Sequence, residues 1–283
     1  MKEPNHSSTP AADVARYYDA NTHKFLRFGG SGNTSAIHRA IWAANVNNAT
    51  EAFEYLNDLI AQALRPVITT KPATTKCLDL GCGVGGTALY LANRLDVSVT
   101  GVTISKTQCE IANTLAEQRK LAAKTRFIAA DFEALPELGT FDAAYAIESF
   151  VHARDGLAFM NMVAKQLEPG ARFIMCDDFT QKNASAKAQR SIARFKRGWH
   201  LNTVLSTEEV CTLASSAGLR LVEQHDLSAY LRQFPSPLLW ALTQLTRIPL
   251  PWAYWDNLAG GTALQNCVKK GWTQYQALVW ERL

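Results

Sequence analysis

Lys76-Cys77-Leu78-Asp79-Leu80-Gly81-Cys82-Gly83-Val84-Gly85-Gly86 is the stretch on which the fold reading turns. Its first half is a short apolar run closed by glycines, which reads as a buried strand. The glycines let the main chain turn tightly and approach a ligand, and the acidic Asp79 at the strand end suits a cationic or hydroxylated group. Residues 87–95, TALYLANRL, then read as a helix. Taken alone, such a string fits nucleotide binding in general. The context around it narrows the reading.

Downstream, strand and helix patterns alternate. SVTGVTI (98–104) reads as a strand and KTQCEIANTLAEQRK (106–120) as a helix. TRFIAAD (125–131) and FDAAYAIES (141–149) read as strands, and a helix is expected near 155–167. RFIMCDD (172–178) follows Pro169-Gly170 as a further strand. LRLVEQHDL (219–227) and TQYQALVWERL (273–283) look like the last two, with the helix ALQNCVKKG (263–271) between them. This βαβαβ order predicts an α/β fold, a parallel sheet with helices on both faces.

The flanks are built differently. Residues 1–12 are polar and read as a disordered tail, and 13–66 as a helical, aromatic-rich cap over the substrate. Gly29, Gly30 and Gly32 interrupt this cap. Within it a helix is expected from Asn48 as N-cap with Glu51 at the capping-box position, closing at Arg65-Pro66. The core is expected over 76–228 and 263–283, with an apolar cap insertion at 229–262 carrying Trp240, Trp252, Tyr254 and Trp255. That insertion is suited to walling a pocket, packing a dimer or touching a membrane. Residues 184–199 fit an amphipathic helix with Lys187, Arg190, Arg194 and Arg197 on one face and Ala188, Ile192, Phe195 and Trp199 opposite. Such a stripe is usually a solvated face; turned toward a pocket, it would hold a diphosphate.

Together these motifs carry a resemblance. Residues 76–180 look like a class I S-adenosylmethionine-dependent methyltransferase, in the branch of the tocopherol, sterol and cyclopropane-fatty-acid enzymes. In that branch the turn after the second strand reads G-[VI]-T-[LI]-S-x-x-Q, matched here by Gly101-Val102-Thr103-Ile104-Ser105-Lys106-Thr107-Gln108. Leu167-Glu168-Pro169-Gly170-Ala171-Arg172-Phe173-Ile174-Met175 matches a further signature. The resemblance implies a Rossmann-like class I fold, with a seven-stranded, mostly parallel sheet, an antiparallel C-terminal strand and helical caps. It also implies that Asp79, Gly81, Gly83, Thr103, Ser105, Gln108, Asp131 and Phe132 line the cofactor, S-adenosylmethionine. Most class I enzymes have an acidic residue where this chain has Thr103, so ribose binding here rests on hydroxyl and amide groups.

The end of the fourth strand, Ala146-Ile147-Glu148-Ser149-Phe150-Val151-His152-Ala153, is similar to the A-I-E-x-x-x-H-A of sterol methyltransferases. Cyclopropane synthases place a glutamate directly before the histidine, where this chain has Val151, so methyl addition is favoured over ring closure. A sulfonium methyl is strongly electrophilic, so the protein has mainly to orient the nucleophile and exclude water. If the nucleophile is an alkene, a carbocation results and a base must take a proton. Glu148, assisted by His152, is the expected catalytic group. Tyr17 and Tyr18 in a YYD match to sterol methyltransferases, with Phe25, Phe28, His38 and Trp42, are the expected substrate pocket. Aromatic faces stabilise nearby cations by roughly 0.5–2 kcal/mol each.

The favoured expectation is C-methylation of an isoprenoid or terpenoid alkene, sterol-like or a prenyl diphosphate. The alternatives are O- or N-methylation of a metabolite and a non-catalytic cofactor-binding protein. No metal site is expected; Mg2+ enters only with a diphosphate substrate. Composition agrees with a small-molecule enzyme: 47% apolar and 19% charged residues in 283, a net charge of +4, and no basic block of the nucleic-acid kind. The six cysteines form no C-x-x-C pair, and no secretory or membrane-spanning run is present, so a cytoplasmic, reduced protein is expected. Peripheral membrane contact and homo-oligomerisation stay open.

Overall fold

The run around Asp79 forms strand β1 (Lys76–Leu80), buried from Cys77 onward. Its side chains serve both faces of the sheet, Cys77 facing one core cluster and Leu78 and Leu80 the other, as a strand covered by helices on both sides requires. The computed structural model describes residues 10–28, 34–72, 74–182, 184–248, 250 and 255–283; within these, nothing is stated of the side chains of Phe25, Arg27 and Phe28. Gly29, Gly30, Gly32, Trp252 and Tyr254 lie outside the described residues.

The remaining strands are β2 (Ser98–Thr103), β3 (Thr125–Ala129), β4 (Phe141–Ile147), β5 (Leu167–Thr180), β6 (Leu219–Asp226) and β7 (Thr273–Arg282). They form one sheet in the order β3-β2-β1-β4-β5-β7-β6. β1 to β5 pair in parallel, and β7 runs antiparallel to both β5 and β6. The expected Rossmann-like sheet with one reversed C-terminal strand is thus what the chain forms. Its order reverses between β1 and β4, and such switch points leave a crevice beyond the strands' carboxyl ends.

Helices α1 (Ala11–Phe28), α2 (Ala49–Thr70), α3 (Gly86–Leu95), α4 (Lys106–Gln118), α5 (Gly156–Gln166), α6 (Ala186–Gly198), α7 (Thr207–Ser216), α8 (Ser236–Leu245) and α9 (Trp255–Lys269) surround the sheet. α2, α3 and α4 cover one face, α5 and α7 the other. Asn48 caps α2 by accepting from the Glu51 N–H, as the sequence predicts. The helix does not close at Arg65-Pro66, however, but runs through Pro66 to Thr70. The proline sacrifices one main-chain bond, yet Val67 prolongs the buried face, so packing outweighs the loss. Likewise β5 begins at Leu167, before Pro169-Gly170, with its register against β4 shifted between Phe141 and Ala143. α9 starts at Trp255, eight residues ahead of the predicted 263.

The glycine turn is tightly constrained. Gly81 has φ +86°, and a Cβ there would fall 2.4 Å from Ser149 Cβ and 2.9 Å from Ser149 Oγ. Ser149 cannot swing aside without breaking the 2.6 Å bond from its hydroxyl to the Leu80 carbonyl. Gly81→Ala should therefore destabilise the protein by about 2–4 kcal/mol, combining left-handed backbone strain with overpacking. Urea unfolding checks this, and a loss below about 1 kcal/mol would mean that the turn is looser than described.

Candidate active site

The carboxyl ends of β1, β2, β4 and β5 open into a cavity of about 560 Å3. Asp79, Gly81 and Gly83 bring the glycine turn to it, Thr103 and Gln108 the end of β2, Asp131 and Phe132 the end of β3, and Glu148 and His152 the end of β4. Tyr17, Tyr18, His38 and Trp42 line it from the N-terminal segment. Fourteen of the sixteen predicted site residues are described with their side chains, and of those Ser105 alone is absent from the lining. The side chains of Phe25 and Phe28 lie outside the described residues.

Ser105 sits one layer deeper. It caps α4 by accepting from the Gln108 N–H and donates to Asp19 Oδ1 of α1. Thr103 Oγ1 donates to Gln108 Oε1 at 2.7 Å, so the two polar groups that reach the cavity are locked to each other. The Asp131 carboxylate accepts from the Glu133 N–H at 2.9 Å and pairs with Arg154 at 3.1 Å. Gly83 meets nothing nearer than Ile37 Cδ1, at 3.5 Å, and so leaves open the space that a side chain would occupy. Beside it, burial pushes the Asp79 carboxyl up to about 8. A bare glycine cradle next to a carboxyl that needs a cationic partner to ionise fits the predicted cofactor.

The segment 34–48 lies over this turn. A Cβ on Gly86 would fall 2.7 Å from the Ser35 carbonyl oxygen, so the two backbones touch. What seats the segment is Arg39, which sequence reasoning missed. Its guanidinium forks onto Asp178, Nη1 to Oδ1 at 3.1 Å and Nη2 to Oδ2 at 2.5 Å, and stacks 3.9 Å above the Tyr275 ring. Its Nε and its backbone N–H both donate to Glu148 Oε1, at 3.3 and 2.8 Å, and the Tyr275 hydroxyl donates to the same oxygen at 2.9 Å. Burial raises the Glu148 carboxyl, but the Arg39 charge and N–H outweigh it and hold Glu148 below the usual carboxylate range. Glu148 also has φ +49°, which turns its side chain out of the strand direction.

Two histidines face the cavity. The Nδ1 of His152 lies 3.4 Å from the His200 carbonyl oxygen, which can only accept, so Nδ1 carries the proton. Nε2 is then the acceptor, and the Tyr18 hydroxyl donates to it at 2.8 Å. Burial lowers the His152 pKa to about 4, so the ring is neutral near pH 7. The short 3₁₀ turn that carries it, Phe150–His152, is pinned by Asn202 Nδ2 to the His152 carbonyl at 2.9 Å and by Thr203 Oγ1 to the Ala153 carbonyl. His38 repeats the pattern. Its Nδ1 donates to the Arg39 carbonyl at 3.1 Å, burial holds its pKa below the ordinary value, and its Nε2 is buried with no partner among the described residues.

The basic stripe goes elsewhere. On α6, Ala188, Ile192 and Phe195 are buried as predicted, while Lys187, Arg190 and Arg197 are exposed and Arg194 half-buried, and none of the four lines the cavity.

Comparison with known proteins agrees with this architecture. A methyltransferase-domain family profile matches residues 77–170. An O-methyltransferase of Pyrenophora dematioidea is 30% identical over 223 residues, 78% of this chain and 80% of the relative. Cycloartenol-C-24-methyltransferase 1 of Oryza sativa subsp. japonica is 29% identical, over 85% of this chain and 67% of its own length. Among solved structures, geranyl diphosphate C-methyltransferase of Streptomyces coelicolor A3(2), in complex with Mg2+, geranyl diphosphate and S-adenosyl-L-homocysteine, superposes with a TM-score of 0.72 at 17% identity, covering 99% of this chain and 100% of that one.

Proposed function

The chain belongs to the class I S-adenosylmethionine-dependent methyltransferases, and from that premise we propose that it methylates an oxygen of a small, largely apolar molecule, with His152 as the proton acceptor. One observation carries this reading. His152 is a neutral imidazole in the cavity wall, held in its tautomer by the His200 carbonyl, and its Nε2 accepts from Tyr18, another cavity-lining side chain. When bound, S-adenosylmethionine supplies an electrophilic methyl group. The chain's own task is to hold the acceptor hydroxyl against a base and keep water out. A substrate hydroxyl that replaces Tyr18 at Nε2 would lose its proton to His152 as its oxygen is methylated. His38 Nε2 offers a second acceptor, and leaving it buried and unpaired costs about 1–3 kcal/mol. The substrate we favour therefore carries at least two hydrogen-bond donors on an apolar body.

The alternative drawn from the sequence, methyl addition to an isoprenoid alkene with proton loss to Glu148, is less well supported. Glu148 Oε1 already accepts three hydrogen bonds, which tie the carboxylate to Arg39 and Tyr275. A diphosphate substrate is also poorly served. Of the arginines lining the cavity, Arg39 and Arg154 are paired with carboxylates and Arg232 stacks on Trp42, while Asp131, Glu133 and Asp178 add negative charge. The O-methyltransferase relative supports oxygen as the acceptor atom. Incubation with carbon-13-methyl cofactor and a panel of apolar phenols, alcohols and prenyl alkenes tests the proposal. The product's methyl resonance should be that of an O–CH3, and a new C–CH3 would overturn the reading.

In the same reading Asp79 holds the cofactor's cationic or hydroxylated part as a carboxylate. Because its free-state pKa is raised to about 8, most molecules carry a proton there at neutral pH that binding must expel. Affinity should rise with pH, by about tenfold per unit from pH 6 until the curve flattens above about 8. Asp79→Asn should flatten it. Calorimetry at several pH values reads this directly, and a wild-type Kd constant from about pH 6 to 8 would remove Asp79 from the cofactor contacts.

A further inference from the structure

The described residues 234–248 and 250 are apolar on the wrong side. Phe234, Leu238, Trp240, Leu245, Ile248 and Leu250 are between 41 and 68% exposed, Trp240 the most, and they make up six of the ten exposed large apolar side chains among the described residues. In α8 the inward face is Leu239 and Thr243, and the latter accepts from Asn266 Nδ2 of α9 at 2.8 Å. Lys269 Nζ, donating to Ser236 Oγ at 2.6 Å, fixes the other end of α8 to α9. The helix is thus firmly seated, and Leu238, Trp240 and Leu245 are held outward rather than left over from a poor fit.

Charge around this patch is one-sided. From Leu227 to Trp280 the chain carries a single carboxylate, Asp256, against Arg232, Arg247, Lys269 and Lys270. All four cations are exposed, and none forms an ion pair among the described residues. An apolar helix face flanked by four cations and one acid matches the interface of an anionic bilayer. A second copy of this chain would bring the same positive charge to a two-fold contact and be repelled.

We propose that α8, with Phe234 before it and Ile248 and Leu250 beyond it, docks this protein on an anionic lipid surface. Leu231, Arg232, Gln233 and Gln265, which adjoin the patch, also line the cavity. The Phe234 N–H donates to Gln265 Oε1 at 3.1 Å, which ties the patch to that wall. Docking therefore sets the cavity wall beside the acyl region, where an apolar acceptor partitions. This inference stands on the outer face of α8 and is independent of which atom is methylated.

The test is sedimentation of the full chain with vesicles of phosphatidylcholine, with and without phosphatidylglycerol. Wild type should pellet with the phosphatidylglycerol vesicles at low salt, release as salt rises, and remain in solution with phosphatidylcholine alone. Leu238→Ala/Trp240→Ala, and separately Trp240→Glu/Leu245→Glu, should lower binding by about tenfold or more, with cofactor affinity by calorimetry unchanged. Failure of wild type to pellet, equal pelleting of the variants, or light scattering that shows a dimer dissolved by either double substitution would overturn it.

Discussion

His152→Ala should lower kcat by about 10²- to 10⁴-fold while leaving cofactor affinity within about twofold. The loss follows from removing the neutral ring nitrogen proposed as the proton acceptor; the glycine turn and Asp79 belong to β1 and its turn and keep their places. Tyr18→Phe removes the hydroxyl that donates to Nε2 and keeps the imidazole, so its effect should be a few-fold only. The pH dependence has a definite sign. With His152 lowered to about 4, the base form prevails above that value, so kcat/KM at saturating cofactor should stay flat down to about pH 5 and fall below it. An ordinary histidine would lose activity near pH 6.5. Steady-state rates of the two variants and the wild-type profile check both statements, and a His152→Ala enzyme within tenfold of wild type would exclude the ring from proton transfer.

Arg39→Ala should cost about 3–5 kcal/mol, because it leaves two carboxylates without their cation in a protein interior. Asp178 is 3% exposed and Glu148 20%, so water does little to replace the guanidinium. Arg39→Lys should recover only part of this, since a point charge cannot fork onto Asp178 and reach Glu148 Oε1 together. Because Arg39 also seats the segment over the glycine turn, amide exchange of residues 36–42 should accelerate by about 10²-fold or more in the alanine variant. Urea unfolding and exchange mass spectrometry read the two effects. A loss under about 1 kcal/mol with unchanged exchange would show that the segment is held by something else. In this account Glu148 is a positioning residue. Glu148→Gln should therefore resemble a weakened Arg39 seat more than the loss of a base.

The contrast between Arg39 and the glycine turn shows what sequence carries. β1, its turn and α3 are contiguous, and glycine spacing with apolar periodicity determines them locally. The same holds for the Asn48 cap and for the buried face of α6, where Ala188, Ile192 and Phe195 repeat at helical spacing. Arg39 instead joins residues 109 and 139 positions away, and no local pattern marks a lone arginine in a loop as the partner of two distant carboxylates. For the same reason Glu148's place at a strand end is legible, and its three donors are not. The helix runs through Pro66, where the sequence predicts a close, because a proline is a local signal while the apolar contact that overrides it is tertiary. The stripe on α6 was legible as a face, yet which way it points relative to the cavity is set by α9, against which the helix packs.

Nitrogen-15 NMR of the imidazole rings in the cofactor-bound protein tests the centre of this account without a substrate. The chain has six histidines, and the spectrum of His152→Gln identifies the signal of His152 by its disappearance. At about pH 6 the ring should be neutral with the proton on Nδ1 and the lone pair on Nε2. An imidazolium at that pH, or a neutral ring protonated on Nε2, would contradict it.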